Sequence, residues 1–441
     1  MRFCVRSYER SIILRMNRRK PRLSPLVFFA VLLLGALLAS CVSGGSKDAA
    51  GGANVGATSL ACEKSAQSQA REQAGRGGRM KGVWVATITG DYPRQKTDGA
   101  RALMDGCDFI VDECERLGFN AIFFQVRPSC DALYNSKYFP WSAWLTGQEG
   151  RAPQDGFDPL SYICKAARKK NIALHAWINP YRIKAKKGQT LADVLKNRPA
   201  LKPLKKFILP CSDGNFYLDP GEPRVRSLIE KGAKEILQNY DVAGLHLDDY
   251  FYPQAGIDDS ASYKKYGAGE SLDDFRRKSV NALIKSLCAL VHAQKKEALF
   301  GVSPFGIWGN KGAKNPCGSD TRGTESYSAH YADSIEWIKN GWLDYIVPQI
   351  YWERGHKAAD YNALVRWWNE AVAESEVALY IGMADYKAAD ALGKPQSPWR
   401  DGAEILEQME LNKTLPNVAG EIHFNFGSAE KLANYGLMLY N

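Results

Sequence analysis

Between Lys81 and Gly427, short apolar runs recur along the chain, each followed by a stretch with helical periodicity. The runs are KGVWVATI (81–88), NAIFFQV (120–126), ALHAWIN (173–179), AGLHLDDY (243–250), LFGVSPF (299–305), DYIVPQIYW (344–352), ALYIGMADY (378–386) and GEIHFNFG (420–427). Each is short and rich in β-branched or aromatic residues, as a strand covered on both faces should be. Amphipathic stretches lie between them at 100–116, 158–170, 224–239, 271–295, 331–340, 360–374 and 401–412, and a last one spans 428–440. Eight strands alternating with eight helices predict an α/β fold, a (β/α)8 TIM barrel over residues 80–441.

Loop lengths support the same topology. Helix-to-strand connections are tight, as in ERLGFN, ARKKNIA, QNYDVAG and KNGWLDY. Strand-to-helix connections are long: about 30 residues after the second run and about 45 after the third. In such barrels the strand-to-helix loops build the functional face. Insertions confined to one face predict a deep cleft there.

The polar residues at the strand ends give that cleft its chemistry. The run GLHLDDYFYP places Asp248 and Asp249 side by side at the end of the fourth strand. A buried unpaired charge costs several kcal/mol or is forced to neutralise, so both acids are expected to face a solvated mouth. His246 and Tyr250 share phase with Asp248. Other strand ends contribute Gln125 and Arg127; Trp177, Asn179 and Tyr181; Ser303; Gln349, Tyr351, Trp352 and Glu353; Asp385 and Tyr386; and His423 and Asn425. Amides and acids bond hydroxyls, and aromatic rings stack on the apolar faces of sugar rings, so the set fits a carbohydrate. The candidate catalytic residues are Asp248 and Asp249, with Asp248 as acid/base and Asp249 as its partner. Glu353 and Asp385 are secondary candidates. Arg127, Asn179, Tyr181, His246, Tyr250, Gln349, Tyr351, Trp352 and Asn425 are the candidate substrate contacts.

Other chemistries lack their signatures. His175, His246 and His423 lie on strands, but no HExxH occurs, and neither a metal nor another cofactor is expected. There is no GxSxG elbow and no P-loop.

Charge changes the picture only at the N-terminus. The 441-residue chain has a formal net charge of +10, with 11 Trp and 21 Tyr. Eight basic residues and the single acid Glu9 fall within residues 1–41, so most of that excess is local and no nucleic-acid partner is expected. LVFFAVLLLGALLASC (26–41) follows the basic block. A basic region, an apolar run too short for a comfortable span, and small residues describe a secretory signal. Leu38-Ala39-Ser40-Cys41 resembles a bacterial lipobox, which makes Cys41 the lipidated residue and the membrane a partner through that lipid. Residues 42–79 are rich in Gly, Ala, Ser and Gln and read as a flexible tether. Between Arg182 and Lys206 stand nine basic residues and one acid, a loop able to attract an anionic polymer. The ten cysteines show no CxxC, and no disulfide is assigned.

Across residues 80–440 the blocks KGVWVATI, NAIFFQVRPSCDALYNSKYFPWSAWLTG, DPLSYICKAARKKNIALHAWINPYR, YLDPGEPRVR, GLHLDDYFYP, FGVSPFGIW, DYIVPQIYW and LYIGMADYK occur in order. In them the chain resembles the glycosyl-hydrolase-like family 10 of bacterial envelope lipoproteins, of the divisome-localised peptidoglycan glycosyl hydrolase type. The resemblance implies a (β/α)8 barrel, a cell-envelope location and cleavage of glycan strands, with peptidoglycan freed of stem peptides as substrate. It carries Asp248 and Asp249 over as the acids, with Arg127, Asn179, Gln349 and Tyr351 lining the cleft. Glu353 and Asp385 are not motif positions. Adjacent carboxylates suit substrate-assisted cleavage, in which the N-acetyl group of the sugar acts as nucleophile. Two alternatives stay open: a glycan-binding lipoprotein without turnover, and a hydrolase of another exported polysaccharide.

Overall fold

The computed structural model describes residues 78–185, 188–313 and 315–437. The expected signal, Cys41 and nearly all of the tether lie outside the described residues. Eight parallel strands close a barrel in sequence order: β1 (Met80–Val85), β2 (Ala121–Arg127), β3 (Ala173–Ile178), β4 (Gly244–Leu247), β5 (Leu299–Val302), β6 (Tyr345–Ile346), β7 (Ala378–Met383) and β8 (Val418–His423), which pairs back onto β1. The helices that follow them are α1 (Ala100–Arg116), α2 (Pro159–Lys169), α3 (Pro223–Asn239), α4 (Leu272–Gln294), α5 (Ser334–Lys339), α6 (Tyr361–Ala371), α7 (Ala403–Lys413) and α8 (Phe426–Asn434). The TIM barrel expected from the alternating pattern is the observed fold.

Local chemistry sets the helix starts. Asp158 accepts from Ser161 N ahead of α2, with Pro159 in the first turn. Ser271 caps α4 through Asp274 N, and Asp333 starts α5 later than the amphipathic pattern alone suggests, accepting from Glu336 N. The seventh apolar run is not strand to its end. The chain leaves the sheet after Met383 and turns into a short helix, Asp385–Ala391.

Side-chain parity divides the core in two. Val83, Val85, Ile122 and Phe124 point outward to the helices. Trp84, Phe123, Trp177, Tyr345, Tyr380 and Ile422 fill the barrel interior. Gly301 on β5 belongs to this interior: a Cβ there would sit 2.1 Å from the Tyr345 ring. A side chain at 301 and the Tyr345 ring cannot share that space.

The long connection after β3 carries a separate three-stranded antiparallel sheet, Arg182–Ile183, Phe216–Leu218 and Ile208–Pro210 in spatial order. Its first strand starts four residues past the end of β3. It therefore brings Arg182 back to the mouth of the barrel, beside Tyr250.

Candidate active site

β4 ends at Leu247, and the chain bends at Asp249, where Phe251 N bonds to Asp249 O at 3.0 Å. The bend releases the two acids from strand parity. Asp248 turns toward β3, where Trp177 Nε1 donates to its Oδ2 at 3.1 Å and Asn179 Nδ2 donates to both its oxygens at 3.2 Å. Tyr250 N adds a longer bond to Oδ1, at 3.4 Å. Asp249 receives the side-chain amide of Gln349, which stands beyond β6 and also donates to Ser303 O at 2.9 Å. The carboxylates are 3% and 7% exposed, so neither has free access to bulk water.

That burial governs their ionisation. Desolvation, then the neighbouring Asp249, pushes Asp248 up to about 6. Desolvation likewise raises Asp249 to about 6. Arg182 opposes both shifts, and its guanidinium lies 4.8 Å from the centre of the Tyr250 ring. Two carboxyls in one dry mouth titrate as a unit, and one proton between them is the favoured state near pH 6. Three N–H donors converge on Asp248, one of them at 3.4 Å, while Asp249 is served by its own backbone N–H and the Gln349 amide. Hydrogen bonds to a carboxylate favour its charged form, so this asymmetry argues for Asp248 as the ionised member and Asp249 as the protonated one. It is the opposite division of labour from the one expected from the sequence.

Tyr250 stands 43% exposed at the rim. Tyr351 is half-buried, and burial, then Tyr386 and the charge on Asp249, raises its phenol. Asn179, Tyr250, Gln349 and Tyr351 are thus assembled around the aspartate pair.

Several expected contacts are not. Arg127 is fully buried outside the barrel wall: its guanidinium lies 4.6 Å from the Phe139 ring centre, and a Cβ on Gly232 of α3 would come within 2.8 Å of it. The β2–β3 register shifts between Gln125 and Arg127, which reverses the parity that would have turned Arg127 inward. Tyr181 is buried with its charged neighbours Arg226, Asp219 and Glu230 on the helix side. Asn425 is held by Asp91, to which it donates at 2.6 Å. Asp385 is 0% exposed and bonds His423 Nδ1 at 2.9 Å, which removes it as a second catalytic carboxylate. Glu353 is half-buried with Lys387 as its electrostatic neighbour. Trp352 packs edge-on against Phe305, with ring centres 5.6 Å apart.

His246 also leaves the contact set, because it forms part of the floor. Trp84 Nε1 donates to His246 Nε2 at 3.2 Å. An indole N–H only donates, so the neutral imidazole carries its proton on Nδ1. That N–H faces Tyr345 Oη at 3.3 Å, and Tyr345 in turn donates to His175 Nδ1 at 3.1 Å. Burial holds both histidines below their usual range, His175 at about 3, so the floor is polar but uncharged.

Arg182 and Trp177 are site residues that the sequence reading left out of its contact set. A signal existed: Asn-Pro directly after a strand marks a turn, and Asn179 Oδ1 accepts from Arg182 N at 3.0 Å, closing it. Among the described residues no group of three or more His, Cys, Asp or Glu side chains could hold a metal ion.

Residues 79–401 match the family model described as Glycosyl hydrolase-like 10. Glycosyl hydrolase YngK of Bacillus subtilis is 38% identical over 360 residues, covering 80% of this chain and 69% of that protein. Glycosyl hydrolase DigH of Escherichia coli K12 is 36% identical over 365 residues, covering 78% and 82% respectively. Among solved structures, the glycoside hydrolase domain of PgaB (BpsB) from Bordetella bronchiseptica superposes with a TM-score of 0.52 at 13% identity, over 82% of this chain and 99% of that one. At that identity the likeness concerns the fold alone.

Proposed function

Because the chain belongs to the glycosyl hydrolase-like 10 family, we propose that it hydrolyses glycan strands of a bacterial cell envelope, with peptidoglycan freed of stem peptides as the substrate. The observation that carries this reading is the Asp248–Asp249 pair: two adjacent carboxyls, both raised to about 6, at the C-terminal mouth of the barrel. Protonated Asp249 gives its proton to the leaving glycosidic oxygen. Ionised Asp248 orients the substrate's 2-acetamido group, whose carbonyl oxygen attacks the anomeric carbon as the glycosidic bond breaks. Water then opens the cyclic intermediate, losing its proton to Asp249. Asn179 and Trp177 hold Asp248 in place, while Tyr250 and Tyr351 offer ring faces to the sugar. Lipidation at Cys41 would tether the enzyme to the membrane beside its polymer.

The test uses the full chain and its Asp248→Asn variant on purified sacculi with and without stem peptides, with released fragments identified by mass spectrometry. Reducing-end fragments from denuded strands, lost in the variant, are the expected result. No fragments from the parent protein, with both proteins still sedimenting with the wall, would replace hydrolysis by glycan binding.

A further inference from the structure

The loops after β1, β2 and β3 line a cavity of about 420 Å³. Its wall includes Trp144, which stands in a four-residue helix, Ala143–Thr146. The cap of that helix, Ser142, bonds the buried Asp131, so the indole is held by the interior rather than by solvent. Two ammonium groups flank the ring: Lys184 Nζ at 4.5 Å and Lys96 Nζ at 5.0 Å from its centre. Thr97 N bonds Leu145 O, which ties the loop bearing Lys96 to the Trp144 helix.

The acids of this cavity are already engaged. Glu149 pairs with Arg198 at 2.7 Å, Asp193 closes the capping box with Thr190, and Asp131 holds Ser142 and Ser129 N. Among the described residues neither Lys96 nor Lys184 has a carboxylate partner within ion-pair distance. Burial, then Arg182 and Lys96, lowers Lys184 from its usual range, and the buried Asp131 opposes the shift. With Asp131 already bonded to Ser142 and Ser129 N, the two ammonium groups at the Trp144 ring keep free coordination for an entering anion.

The cavity is joined to the catalytic mouth through one short strand. Arg182 and Lys184 are two apart in extended chain with Ile183 buried between them, so their side chains share a face. Arg182 lies on Tyr250 at the aspartate pair, and Lys184 lies on Trp144. An aromatic platform selects a ring with an apolar face, and flanking ammoniums select a negative charge on it. A polyol phosphate supplies the charge without the ring.

We propose that Trp144, Lys96 and Lys184 form a subsite for a carboxylate-bearing sugar of the glycan, next to the sugar at the aspartate pair. This inference rests on the proposed function and refines its substrate. In peptidoglycan the lactyl carboxyl of every second sugar is amide-linked, and therefore uncharged, while a stem peptide is attached. Removal of the peptide exposes the carboxylate that this subsite reads. The reaction that supplies the substrate is thus an amide hydrolysis at that lactyl group.

The test compares denuded glycan oligosaccharides with the same material after conversion of its carboxylates to methylamides. Binding to the full-chain Asp248→Asn protein is measured by calorimetry, and cleavage is measured with the parent. The parent site should prefer the carboxylate form about tenfold, the scale of two partly exposed ion pairs. A Lys96→Ala/Lys184→Ala double variant should lose that preference through KM rather than kcat, and Lys96→Arg/Lys184→Arg should keep it. Equal affinity for both glycans, or an unchanged preference in the alanine variant, overturns the subsite whatever the catalytic result. A preference that follows the lysines, with neither glycan cut, keeps the subsite and refutes the hydrolysis. Binding of neither glycan overturns both.

Discussion

Replacing Trp177 by Phe tests how the mouth controls its own charge. The indole N–H donates to Asp248 Oδ2 at 3.1 Å, and the substitution removes that donor while keeping a ring in the inner core. A hydrogen bond to a charged group contributes about 1.5–3 kcal/mol, and 1.36 kcal/mol corresponds to one pH decade. Asn179 still donates to both oxygens, so the lower end of that range applies, and Asp248 should rise from about 6 to about 7. The ionised form of Asp248 is the working form. Raising its pKa therefore narrows the active window from the acid side: at pH 6 its ionised fraction falls about fivefold, whereas at pH 8 it changes by about a tenth. The assay is kcat/KM on denuded glycan between pH 4 and 9, after circular dichroism has shown that the variant is folded. An acid limb displaced upward by about one decade, with the alkaline rate retained, is the expected outcome. An unmoved limb, or a loss equal at every pH, would refute the role given to the Trp177 donor.

Two further predictions concern stability. The Asp249 carboxyl titrates near 3.8 when unfolded and at about 6 when folded, so the stability linked to it is present below about pH 4 and is lost as pH rises through about 6. At pH 8 its ionised form costs up to about 3 kcal/mol, and Asp249→Asn should therefore raise Tm by several degrees at pH 8 and hardly at all at pH 4; calorimetric scans giving the same shift at both values would contradict the sign. Gly301→Ala forces a Cβ to within 2.1 Å of the Tyr345 ring, and such overpacking costs about 1–3 kcal/mol. Urea unfolding should show a lower midpoint at unchanged slope, and parental stability would show that the floor yields without strain.

The sequence made the barrel legible because its signals are local. A strand covered on both faces is apolar along its whole length, and caps such as Asp158 and Ser271 lie next to the helices they start. The aspartate pair was equally visible, since two charges at the end of an apolar run have few physical explanations. The misreadings all turn on partners far away in the chain or on a change of register. Arg127 shares phase with Gln125 in the sequence, but the shift in the β2–β3 register between them sends the guanidinium to Phe139. Asp385 and Asn425 look like cleft residues until His423 and Asp91 claim their side chains. Arg182 was hidden for the opposite reason: it opens a basic loop, and only the turn closed by Asn179 sets it apart from the lysines that follow.

The floor of the barrel has a consequence for how this fold can change. From Trp84 through His246 and Tyr345 to His175, each bond is oriented by the one before it, and the chain ends two residues deeper along β3 than Trp177. None of its bonds is directed at Asp248 or Asp249. The floor works as an insulator: it carries no charge and hands no proton upward. New strand-end chemistry could therefore be set on it like a cassette, with the acidity of the new groups decided by the donors above it, Trp177 among them.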